Sequence, residues 1–267
     1  MKPIIHFAHA NGIPSRTYQT LFDLLSDEYD VVFVPLIGAD PHYPITNQWD
    51  FLVQQLIDSI ESQAKGRPVI ALGHSLGSVL SLMVSLVRPD LVSQLIMLDP
   101  PLIVGKSSFV LHIAKKFFPK IVDKTTPAGL SIKRRDHWDS REQAAQLLRE
   151  RGLFKTFAQP CFDDYIRYGL KEDKQRGGVT LSIPKMAEVE IFRTTPSLWW
   201  GRIPKPTVPT HLVTGQDSEF LTFKYPQTVK KKMAIPYSIV EGGHMFPLQY
   251  PEATVAKIKT LIREQSI

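Results

Sequence analysis

The chain predicts an α/β fold: a mostly parallel sheet with helices on both faces, and an inserted, mainly helical cap. Three observations carry this reading. Short β-rich apolar runs alternate with helical periodicity over the first hundred residues, the alternation stops after Pro100-Pro101, and it resumes at Val208. Strands that are continuous apolar runs, rather than alternating ones, belong to a sheet covered on both sides. The expected organisation is a core built from 1–100 and 206–267, with 101–205 as the cap lying over the carboxyl ends of the strands.

Taken in order, Ile4 to Ala10 is a short strand that runs into Asn11-Gly12-Ile13-Pro14-Ser15, a segment of strong turn chemistry. Tyr18, Leu21, Phe22 and Leu25 then repeat at helical spacing, and Asp30 to Pro35 reads as the next strand. Phe51 to Ile60 is an amphipathic helix, Val69 to His74 a strand, Leu76 onward a helix stopped by Pro89-Asp90, and Leu95 to Asp99 another buried strand. In the middle third, Phe109 to Val122 is expected to be an amphipathic helix with Lys115, Lys116 and Lys120 on its wet side. Ser140 to Arg151 and Asp163 to Leu170 are further helices, and Leu198-Trp199-Trp200 adds large apolar area. Thr210 to Thr214, Phe223 to Lys232, Tyr237 to Val240 and Ala253 to Arg263 then read as strand, helix, strand and helix.

A chain of 267 residues can bury a full core without disulfides, and the single cysteine, Cys161, has no partner for one. With no apolar signal core at Met1 to His6, a cytoplasmic location is the expectation. No run approaches the roughly 18 apolar residues of a membrane span. The formal charge of +6 is unevenly placed: residues 101–205 hold 20 Lys and Arg against 11 Asp and Glu, a net of +9. That pattern reads as a solvated cap surface and leaves open a weak peripheral contact with an anionic membrane face. It is too dilute to point to nucleic acid.

The stretch Leu72-Gly73-His74-Ser75-Leu76-Gly77 carries the chemistry. A Gly-x-Ser-x-Gly turn between a strand and a helix holds the serine at a sharp elbow, exposes its hydroxyl at the end of the sheet, and sets it above the N–H groups of a new helix. A serine hydroxyl is a weak nucleophile at neutral pH and needs a base oriented by a third group. Among eight histidines, His244 has the fitting context: it follows a strand through Glu241-Gly242-Gly243 and precedes Met245-Phe246-Pro247. Asp217, just past the strand ending at Thr214, is the expected acid. Glu219 lies beside it as a competitor, and Asp99, which also ends a strand, is a more distant one. The order Ser75, Asp217, His244 suits the architecture. No His-Glu-x-x-His, cysteine pair, phosphate loop or dinucleotide fingerprint is present, so neither a metal nor a cofactor is expected.

On these residues the chain resembles the α/β-hydrolase fold family, and most closely its serine esterase and lipase-like members with a helical cap. The Gly-His-Ser-Leu-Gly elbow, the Gly-Gly-His-Met-Phe-Pro loop and Pro251-Glu252 carry the likeness. The family's His-Gly-x-Pro segment corresponds here to His9-Ala10-Asn11-Gly12-Ile13-Pro14, with alanine for the usual glycine and added residues before the proline. The resemblance implies an oxyanion hole made of the backbone N–H groups of Leu76 and of Asn11 or a neighbour of Asn11. It implies hydrolysis of carboxylic esters through an acyl-enzyme on a small to medium substrate, and the aromatic and aliphatic residues of the cap suggest that the substrate has an apolar acyl or alcohol part. Thioester or C–C hydrolysis by the same trio, or a binding module without turnover, are the alternatives. A serine at position 75 speaks against the dehalogenase and epoxide-hydrolase members, which carry aspartate there.

Overall fold

The computed structural model describes residues 1–118 and 126–265. Its core is a six-stranded sheet of β1 (Ile4–Ala8), β2 (Asp30–Phe33), β3 (Val69–His74), β4 (Val92–Leu98), β8 (Thr210–Gly215) and β9 (Tyr237–Val240). Their spatial order is β2-β1-β3-β4-β8-β9, and every neighbouring pair is parallel. Alternate residues of each strand feed opposite faces. In β1, Ile4 and Ala8 join one apolar cluster while Ile5 and Phe7 join the other; in β3, Val69 and Ala71 go one way and Ile70 and Leu72 the other. The first cluster is closed by α2 (Asp50–Ala64) and α3 (Leu76–Val87), through Leu52, Leu56 and Leu80. The second is closed by α1 (Gln19–Leu25) and α12 (Pro251–Gln265), through Leu21, Leu25, Ile258 and Leu261. Strand side chains buried on both faces are what the continuous apolar runs require.

After β2 the chain crosses to the far side of β1 to lay down β3. The crevice beyond the carboxyl ends of β1 and β3 is therefore a topological switch point, where open α/β sheets bind ligands. Ser75 and the Asn11 turn both emerge there, since Ala8 pairs with Gly73 in the register.

Between β4 and β8 none of the described residues joins this sheet. The described part of that segment holds α4 (Lys106–Phe117), α5 (Ala128–Lys133), α6 (Arg141–Arg149), α7 (Gln159–Tyr168) and α8 (Lys185–Arg193). It also holds a small antiparallel sheet of β5 (His137–Trp138), β7 (Val179–Leu181) and β6 (Leu170–Glu172). Sequence periodicity missed this sheet, because strands of two and three residues are too short for alternation to register. Periodicity also ran the helix at 163–170 through Leu170, which is the first residue of β6. The expected helix over 109–122 is present up to Phe117, and its final residues, with Lys120, lie outside the described residues. Lys115, expected on its wet side, instead turns inward and donates from Nζ to the Thr195 carbonyl at 2.5 Å. Among the described residues, no helix is long and apolar enough to cross a membrane.

The elbow shows why its two glycines are required. A Cβ on Gly77 would sit 2.0 Å from the Ala8 carbonyl oxygen, and one on Gly73 would sit 2.4 Å from the Gly77 carbonyl and the Ser78 nitrogen. These obstacles are backbone, which cannot rotate aside. Gly77→Ala is therefore expected to destabilise the chain by more than ~4 kcal/mol, or to abolish soluble folding. Gly201→Ala, in open space, is expected to stay within about 0.5 kcal/mol. Urea titration of both variants measures the contrast, and equal midpoints would refute it.

Candidate active site

Ser75 sits at φ 54° and ψ −116°, a backbone conformation that L-residues rarely occupy. Four hydrogen bonds hold it there. The Ser75 N–H donates to the Leu98 carbonyl at 2.8 Å, and the Gly77 N–H donates to the His9 carbonyl at 3.1 Å. The Ser78 hydroxyl donates to the Gly73 carbonyl at 2.5 Å and accepts from the Leu98 N–H at 3.0 Å. The elbow is thus fastened to both flanking strands, β1 through His9 and β4 through Leu98. Leu76 opens α3, so its N–H has no acceptor within the helix.

The residue after Leu98 is Asp99, also at positive φ (44°) and 1% exposed. Its carboxylate lies 2.7 Å from His244 Nδ1 through Oδ2, and His244 Nε2 lies 3.0 Å from Ser75 Oγ. With the Nδ1–H donated to the carboxylate, Nε2 is left with its lone pair facing the Ser75 hydroxyl. Two hydroxyls complete the shell of the acid: Thr214 Oγ1 donates to Oδ1 and Ser218 Oγ to Oδ2, each at 2.6 Å. Phe220 closes the site with its ring edge-on to the imidazole, centroids 5.0 Å apart.

The partner of His244 is therefore Asp99, which corrects the expectation of Asp217. Asp217 and its neighbour Glu219 are exposed. Asp217 contributes its backbone, donating its N–H to the Gly242 carbonyl at 3.0 Å in the loop that carries His244. The turn after β8 directs the next residue, Ser218, inward instead, and it is Ser218 that reaches the carboxylate. The carboxylate beside His244 thus comes from the end of β4, next to the strand that leads into Ser75, with Thr214 of β8 and Ser218 in the turn after it supplying the hydroxyl donors.

Two further histidines surround the trio, both buried and held neutral. His74 receives the Tyr18 hydroxyl at Nδ1 (2.6 Å) and donates from Nε2 to the His244 carbonyl at 2.9 Å. Burial, with a smaller contribution from His244, lowers its pKa to about 3. It fastens the backbone of the very residue that serves as the candidate base. His9 accepts the Ile37 N–H at Nε2 (2.7 Å), so its Nδ1–H donates to the Ala10 carbonyl at 2.8 Å. Burial lowers its pKa to about 4. The Ala10 carbonyl also accepts the Ile13 N–H at 3.1 Å. Fixing that carbonyl fixes the peptide plane, so the Asn11 N–H on the opposite side of the same plane has one direction only. The Asn11 side chain is spent on the segment between β4 and β8: Nδ2 donates to the Glu188 carbonyl at 2.9 Å. Glu188 in turn accepts Ser131 at 2.6 Å and Arg134 at 2.5 Å.

The comparisons agree with this architecture. The family model described as "Alpha/beta hydrolase family" matches residues 7–257. The chain belongs to the alpha/beta hydrolase family. Among solved structures, E-2-(acetamidomethylene)succinate hydrolase superposes with a TM-score of 0.75 at 19% identity, over 98% of this chain and 92% of its own. The thioesterase domain from the curacin biosynthetic pathway gives 0.73 at 20% identity, over 97% and 91%. A marine microorganism esterase gives 0.68 at 18% identity, over 98% and 95%. At such identities these likenesses speak to the fold. No curated protein sequence matches the chain.

Proposed function

We propose that this member of the family is a serine hydrolase that cleaves carboxylic esters of small to medium apolar substrates through an acyl-enzyme. The observation that carries the reading is the continuous line from Ser75 Oγ to His244 Nε2 (3.0 Å) and from His244 Nδ1 to Asp99 (2.7 Å) at one rim of the sheet. As Ser75 Oγ attacks the acyl carbonyl, His244 Nε2 takes the hydroxyl proton and Asp99 balances the imidazolium. The oxyanion is met by the Leu76 N–H, backed by the positive end of α3, and by the Asn11 N–H. His244 then returns the proton to the departing alkoxide, leaving the acyl group on Ser75. In the second half His244 takes a proton from a water as that water attacks the acyl carbon; the bond from Ser75 Oγ to the acyl group then breaks, His244 returns the proton to Oγ, and the acid departs. The strained serine and its buried supports hold this geometry before substrate arrives, as a preorganised site requires.

The test is covalent labelling. A fluorophosphonate probe is expected to label the wild-type chain and not Ser75→Ala, and the same substitution should abolish release of nitrophenol from nitrophenyl esters. Labelling that survives the substitution would remove Ser75 as the nucleophile. Turnover of thioesters with negligible turnover of simple esters would move the substrate class and leave the trio in place.

A further inference from the structure

Helix α4 is mounted the wrong way round for a solvated surface helix. Its polar side faces the protein: Ser108 is buried and accepts the Trp199 N–H at 3.1 Å, while Lys115 donates to the Thr195 carbonyl. Its apolar side faces out. Val110 is 65% exposed and Phe117 59%, seven residues apart and hence on one stripe, with Phe109 beside them at 44%. Trp200 extends the face, its ring edge-on to Phe109 with centroids 5.0 Å apart.

Cations frame this face. Lys106 and Lys116 project from the helix itself, Arg202 and Lys205 follow Trp200, and the Lys232 chain reaches to 3.9 Å from where a Cβ on Gly105 would stand. No acidic residue occurs between 101 and 118 or between 194 and 216. An outward aromatic and aliphatic stripe bordered by Lys and Arg is the design of a helix that lies in a lipid interface, with its rings among the upper acyl chains and its cations on anionic headgroups. A second copy of this chain fits the face poorly, because pairing it with itself would bring like charges together. Nucleic acid would meet hydrocarbon where phosphate contacts are needed.

We propose that α4 and Trp200 form a docking surface for anionic membranes. This is independent of the hydrolase reading, since none of these residues belongs to the Ser75 site and binding is read without turnover. Sedimentation of the full chain with vesicles tests it. Partition onto phosphatidylcholine vesicles containing phosphatidylserine is expected to exceed that onto phosphatidylcholine alone by about tenfold, and to weaken as salt is raised. The double variant Val110→Glu with Phe117→Glu is expected to lose about a hundredfold or more of that partition while keeping the wild-type melting temperature. Lys106→Glu with Lys116→Glu tests the charge arm should the first variant fold poorly, with a loss of about tenfold or more expected. Equal partition onto both lipid compositions, or partition unmoved by either variant, would overturn the proposal. So would a wild-type dimer in light scattering that either double variant converts to monomer, which would make a second copy the occupant.

Discussion

Asp99→Ala is expected to lower kcat/KM on nitrophenyl esters by about four orders of magnitude, while Asp217→Ala leaves it within about twofold. Without the carboxylate on Nδ1, the imidazole of His244 loses both its fixed tautomer and the charge that balances the imidazolium as Ser75 attacks. The same loss leaves the Thr214 and Ser218 hydroxyls, both now 2.6 Å from the carboxylate, without their acceptor in a buried place. A destabilisation of about 1–3 kcal/mol should therefore accompany the kinetic loss. Asp99→Asn separates the two effects. It keeps the volume and one acceptor oxygen but removes the charge, so it is expected to melt closer to wild type and still lose at least about a hundredfold in kcat/KM. Asp217 is exposed, and it hydrogen-bonds the His244 loop through its backbone N–H, which any side chain retains. If Asp217→Ala proves the more damaging substitution, the assignment of the acid to β4 fails.

What the sequence made legible follows from the range of each signal. The elbow is local. Strand, Gly-x-Ser-x-Gly and helix occupy one stretch, and the clash of a Cβ at Gly77 with the Ala8 carbonyl is why the pattern tolerates no substitute there. The loop bearing His244 is also local, because Gly242 and Gly243 free the chain to turn back over the sheet. The acid is not. Asp99 and Asp217 follow β4 and β8, parallel strands adjacent in the sheet, and both lie beyond a carboxyl edge. The choice between them depends on which way one turn residue points, and Ser218 rather than Asp217 takes the inward place. A run of strand residues carries no mark of that rotation.

The segment between β4 and β8 was hard to read for a related reason. Its small sheet and its short helices are set by packing against the core, as when Asp164 of α7 accepts both the backbone and the hydroxyl of Thr20 at 3.0 and 2.7 Å. Periodicity found α6 and most of α7 and placed Lys115 toward water. The structure puts Lys115 on a backbone carbonyl, because the polar side of α4 is the side that meets the protein. Helical spacing reports that two faces differ, and it leaves open which of them is turned inward.

Acidification is expected to unfold this chain steeply, beginning near neutrality, and three buried histidines are the reason. Burial lowers His6 to about 3, His9 to about 4 and His74 to about 3, against 6.5 for the free side chain. Each pKa is depressed in the folded state, so the unfolded chain binds a proton that the folded chain refuses wherever the pH lies between the two values. Stability is therefore fully present above about pH 6.5 and falls as pH drops toward about 4. Each histidine contributes about 1.4 kcal/mol per pH unit, and the three together about 4, so roughly 6 kcal/mol is lost by about pH 5. That is comparable to the whole stability of an ordinary domain. Half-buried Asp164 works in the opposite sense, since desolvation raises its pKa and favours the folded state in acid, but it is one group with partial solvent access. Urea midpoints followed by circular dichroism across this range should give a slope near three protons around pH 5. His6 hydrogen-bonds through Nε2 to the Ser59 hydroxyl at 2.9 Å, away from the Ser75 site. His6→Gln should therefore reduce the slope by about one proton and leave the pH profile of turnover where it is. A chain whose stability is flat down to about pH 4 would show that these imidazoles take up protons without unfolding, and the buried neutral network around His74 and His9 would have to be abandoned.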